Sequence, residues 1–194
     1  MAFVANNSQQ LSLMDSTFNL TERERKFLEK SWAKTFADKV FPSINEEIFS
    51  VLYSSNASRP NTPVNVIVGA LILKEALGDS DDELVEALMF DIRYQYALHT
   101  TSFKEQPLSD RTLSRFRARC LAYETKTGID LIHMSVISLA KEIAEFMKLL
   151  SNAPFTLDYV KEICKNSEYV DSLAYIIDTS NALADGKYVA EYDM

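Results

Sequence analysis

The sequence predicts an all-α fold: a single helical domain of about five to seven helices around a buried central helix, with a short helical C-terminal tail. Three observations carry this. Four glycines and five prolines in 194 residues are too few turn formers for a sandwich or barrel that must reverse every ten or so residues. Hydrophobic residues make up 47% of the chain and fall repeatedly at helical spacing. The run VNVIVGALILKEAL is apolar nearly all round, as a helix wrapped by others must be. A chain of this length holds one mid-sized core with an appendage. It divides into a lead-in over residues 1–15, a helical domain over 16–148 and a tail over 149–194.

Residues 1–15 are polar and without period, as expected of a lead-in. Thr21 followed by Glu24 is a reciprocal N-terminal cap, and Leu28, Trp32 and Phe36 continue one face, predicting a helix to about Val40. Pro42 interrupts it. A second short helix follows, with Ile44, Ile48, Val51 and Leu52 facing inward. For the central helix, Thr62 is suited to cap, Pro63 to the first helical position and Gly78 to the left-handed residue after the end.

Ser80 and Glu83 again have capping-box spacing. Six acids lie between Asp79 and Asp91 with no base among them. Capping and solvation account for these carboxylates, which lack the alternation and glycine of a calcium loop. The stretch IRYQYALHT extends this helix or forms another, and TSFKEQP is a loop. Ser109 or Asp110 caps a helix ending near Gly128, with Leu113, Phe116, Cys120 and Tyr123 on one arc. Arg111, Arg115 and Arg119 share an adjoining arc, and Arg117 lies on the opposite flank. One long amphipathic helix is expected next, burying Leu131, Ile132, Val136, Leu139, Ile143, Phe146 and Leu150. Two short helices and a polar end are expected after Pro154.

Several chemistries are excluded at this level. Four scattered glycines cannot form a nucleotide-binding glycine loop. His99 and His133 lack the neighbouring ligand of a helical zinc pair. No serine elbow occurs, and Cys120 and Cys164 are read as buried free thiols. The N-terminus has no signal-peptide pattern and no window is apolar over membrane length, so a cytoplasmic protein without a membrane partner is expected.

The formal net charge is −8, yet it is unevenly spread. Residues 1–148 hold 17 basic and 20 acidic side chains, against 3 and 8 in residues 149–194. A local basic face is therefore compatible with global acidity. Arginine offers a planar fork to phosphate and to guanine edges. The four arginines of PLSDRTLSRFRARC form either a nucleic-acid-binding helix or internal partners for the acids at 79–91, and chemistry leaves both open.

The ordered motifs Arg59–Pro60, Ser80 to Leu84, Phe90 to Tyr94 and Asp110 to Arg117 resemble the N-terminal domain of insertion-sequence transposases of the DDE, or RNase H-like, class. The resemblance extends from about Leu20 to Met147. It implies a helical module that recognises the terminal repeats of its own element. Complete members of that class carry a following catalytic domain whose three carboxylates hold two divalent metal ions. The 46 residues after position 148 are too few for such a domain, so a chain truncated before the catalytic core is expected. Asp171 and Asp178 loosely resemble the class's first catalytic aspartate, but no metal role is expected for either.

These readings combine into a transposase-derived DNA-binding module, not an enzyme, needing no cofactor and taking double-stranded DNA at transposon ends as its partner. Arg111, Arg115, Arg117 and Arg119 would meet phosphates and bases, Ser109 and Thr112 would add donors near the helix start, and Arg59 would assist. One alternative is a non-catalytic oligomerisation or regulatory protein that pairs with full-length transposase or with itself. A second is residual metal-dependent nuclease activity.

Overall fold

The apolar run at the centre of the sequence dictates the architecture, because a helix without a polar face must be covered on every side. In the computed structural model this helix buries Val64, Val66, Ile67, Val68, Gly69, Ala70, Leu71, Ile72 and Leu73. Each fully buried branched side chain contributes roughly 1.5–3 kcal/mol relative to exposure. Residues 2–6, 15–54, 60–103 and 105–150 are described; Arg59, Cys164, Asp171, Asp178 and both expected tail helices lie outside them.

The α-helices are α1 (Glu22–Lys30), α2 (Trp32–Thr35), α3 (Val64–Leu77), α4 (Asp81–Phe90), α5 (Ile92–Ala97), α6 (Asp110–Thr127), α7 (Leu131–Ser138) and α8 (Ala140–Leu150). Among the described residues no strand forms, and a single isolated bridge joins Ala2 to Pro60. The all-α single domain read from the sequence is therefore the fold.

Both capping boxes form. Thr21 N–H donates to Glu24 Oε2 at 2.7 Å while Glu24 N–H donates to Thr21 Oγ1 at 3.3 Å. Ser80 and Glu83 repeat the exchange at 2.7 and 3.2 Å. Gly78 and Gly128 take the left-handed conformation, at φ 79° and 75°, which only glycine adopts without cost. Pro63 occupies the cap of α3 itself, and Thr62 falls just outside the helix.

Three expectations need correction. The first helix does not run on to Val40: Ser31 is extended (φ −80°, ψ 164°) and its hydroxyl donates to Leu28 O at 2.6 Å, closing α1. The break redirects Trp32 against Tyr94 and Phe146, at ring distances of 5.2 and 6.1 Å. Beyond α2 a π turn covers Phe36–Val40. Residues 46–52 form a 3₁₀ helix, whose three-residue period buries Phe49 and turns Val51 to solvent, opposite to the inward position expected of it. The long amphipathic helix divides at Leu139 (φ −106°, ψ 8°) into α7 and α8. Its burial pattern survives the break, since Leu131, Ile132, Leu139, Ile143 and Phe146 are all buried.

Two close approaches fix the elements around α3. A Cβ on Gly69 would stand 2.8 Å from Leu98 Cδ2, 3.3 Å from Phe41 Cδ2 and 3.4 Å from Ile44 Cδ1. Buried Glu46 accepts hydrogen bonds from Asn6 N–H at 2.5 Å and Asn65 N–H at 3.4 Å. The 3₁₀ helix is thereby fastened beside the start of α3, facing α6.

Candidate nucleic-acid interface

Ser109 is extended (φ −145°, ψ 163°), and its Oγ accepts from Thr112 N–H at 3.4 Å, opening α6 where the sequence places it. Leu113, Phe116 and Cys120 bury one face. Phe116 meets Phe49 of the 3₁₀ helix at a ring distance of 5.4 Å. Burial pushes the Cys120 thiol up to about 12, which leaves it protonated and chemically inert near neutrality.

The predicted arginine group divides in two. Arg117 turns toward α4 and meets Asp81 through a fork: Nη1 donates to Oδ2 at 2.6 Å and Nη2 to Oδ1 at 2.8 Å. The Arg117 guanidinium holds the Asp81 carboxyl below its ordinary value against the opposing effect of burial, with Lys74 Nζ 3.7 Å away assisting. For this one residue the intramolecular alternative is realised.

Arg111, Arg115 and Arg119 instead line a cleft of about 130 Å³, together with Ser109 and Thr112. Tyr53, Thr62, Ile67 and Phe116 complete its lining. Arg111 and Arg115 are exposed, and neither makes a hydrogen bond or ion pair among the described residues. Arg119 stands with its guanidinium carbon 5.3 Å from the centre of the Tyr53 ring, a cation–π arrangement. Burial raises the Tyr53 hydroxyl above its ordinary value, and Arg119 partly offsets this.

Five of the seven residues named from the sequence thus share one concave surface, Arg117 faces elsewhere, and Arg59 lies outside the described residues. No sequence pattern marks Tyr53 or Thr62 as a binding residue. Their place in the cleft depends on contacts between the 3₁₀ helix, the start of α3 and α6, which no local pattern encodes. His99 hydrogen-bonds Ala37 O at 3.0 Å and packs 4.6 Å from the Phe41 ring, well apart in role from this surface. Among the described residues no group of three or more His, Cys, Asp or Glu is arranged to hold a metal ion. No described helix is long and apolar enough to cross a membrane.

The family model described as Transposase domain (DUF772) matches residues 12–119, just over half of the chain and ending at the last cleft arginine. No curated protein and no solved structure matches the chain.

Proposed function

Because the chain belongs to the DUF772 transposase-domain family, we propose that it is a DNA-binding module, derived from a DDE-class transposase, that recognises the ends of an insertion element without cutting them. The observation that carries this reading is the pairing of Arg111 and Arg115, one helical turn apart, exposed and without carboxylate partners among the described residues of an acidic chain. Guanidinium groups in that position gain most from meeting phosphate, since each can present two parallel donors to one oxyanion. Ser109 and Thr112 supply hydroxyls at the same mouth. Arg117 supports the interface indirectly, by fixing the rotation of α6 through Asp81.

Binding carried by phosphates weakens as salt rises, with a log–log slope of about −0.9 per phosphate neutralised. Fluorescence anisotropy with a labelled blunt duplex is expected to give a slope near −2 to −3 for the cleft arginines. A flat response, or no binding at low salt, would overturn the proposal. The role needs no metal ion, and supercoiled plasmid incubated with the protein and Mg²⁺ or Mn²⁺ is expected to remain intact.

A second reading, association with another copy or with full-length transposase, draws on Phe90, 81% exposed beside exposed Met89 at the end of α4. Apolar side chains so placed favour a partner surface. Light scattering across a concentration series, with and without the intact enzyme, tests it; a strict monomer that ignores the enzyme removes it.

A further inference from the structure

A convex ridge of arginines suffices to lie along a phosphate backbone, but this surface is concave. A cavity of about 150 Å³ accommodates one benzene ring, so the cleft of about 130 Å³ is on the scale of a single six-membered ring.

The lining of the cleft is not phosphate-like throughout. Beside the arginines it includes the aromatic and apolar side chains of Tyr53, Ile67 and Phe116, with Thr62. Arg119, held over the Tyr53 ring, places a fixed positive charge on an aromatic surface. Planar, electron-rich nucleobases are received by that combination of aromatic ring and guanidinium. Arg111 and Arg115 line the same cleft and are exposed, so phosphates flanking such a base would come within their reach.

We infer that the cleft takes one unpaired nucleotide of DNA, its base entering beside Tyr53 and Thr62 while Arg111 and Arg115 hold the adjoining phosphates. This rests on the DNA-binding reading above and adds to it the chemical form of the DNA: a frayed end or an extruded base next to duplex. Every base has a planar face, so the cleft contributes preference for an unpaired position with little preference for its identity.

The test compares the full chain on two labelled DNAs, a blunt duplex and the same duplex carrying one unpaired nucleotide at its end. Wild-type protein is expected to favour the second about five-fold or more, and 2-aminopurine at the unpaired position is expected to change fluorescence on binding. Thr62→Phe fills the cleft and Tyr53→Leu removes the ring; in both, folded by circular dichroism, the ratio of the two affinities is expected to fall to about one. Equal wild-type affinities with salt-dependent binding of both DNAs would overturn this inference and leave the DNA-binding reading standing. Retention of the preference in both variants would also overturn it. Absence of binding to either DNA would overturn both.

Discussion

Arg117 and Asp81 join the middle of α6 to the first turn of α4 through two parallel hydrogen bonds of 2.6 and 2.8 Å. Their side chains retain only 24% and 29% exposure, so the pair lies between a screened surface bridge and a buried one. Asp81→Asn is expected to cost about 1–2 kcal/mol, because Arg117 loses a charged partner in a half-dry position. Urea denaturation with a common m-value would show it.

The same pair sets a pH dependence. Arg117 lowers the Asp81 pKa in the folded protein, so the native state binds the proton less readily than the unfolded chain. Its stabilisation is present above the unfolded carboxylate value of about 3.9 and is lost as pH falls through the lower folded value. Between pH 5 and pH 2 the wild-type midpoint is expected to fall more steeply than that of Asp81→Asn.

Arg111→Ala and Arg115→Ala are each expected to reduce the magnitude of the salt slope for duplex binding by about 1, with stability within about 0.5 kcal/mol of wild type. Arg117→Ala is expected to show the reverse pattern, losing stability while leaving the slope intact. Paired anisotropy and denaturation series on the three variants distinguish the two roles.

Phe49 is fully buried and meets Phe116. Phe49→Ala is expected to cost about 3–5 kcal/mol. The loss would also loosen the wall that carries Tyr53. Denaturation and duplex affinity measured on the same preparation should therefore fall together.

Ser80→Ala removes the hydroxyl half of a capping box whose return bond is 2.7 Å. A loss of about 1 kcal/mol is expected, read as a shift in denaturation midpoint. Thr21→Ala at the other box should behave similarly, since α1 depends on its own cap with only Leu28 buried.

Features governed by a few neighbouring residues were legible before any coordinates. Thr21 with Glu24, Ser80 with Glu83, and Ser109 specify helix starts through side-chain oxygens that accept from nearby backbone N–H groups, and Gly78 and Gly128 specify helix ends through their left-handed backbone. The buried faces of α6 and α8 follow from period, and the burial of α3 from its lack of a polar face. The breaks at Ser31 and Leu139 were not legible, because both flanking segments keep helical periodicity. What ends α1 is a serine hydroxyl returning to Leu28 and the packing demanded of Trp32 by Tyr94 and Phe146. Val51 departs from its expected inward position because residues 46–52 follow a 3₁₀ period and not an α-helical one. At the cleft, the arginine arc could be read from one helix, whereas Tyr53 and Thr62 enter it only through tertiary assembly.

The fastening of α6 at three depths has a kinetic consequence. Ser109 sets its first turn, Phe116 is wedged against Phe49, and Arg117 is clamped to Asp81. If the cleft docks on DNA as proposed, α6 would enter the complex already held, and binding there would immobilise a few long side chains. Association should follow a single bimolecular phase whose rate tracks ionic strength, free of a slow concentration-independent step.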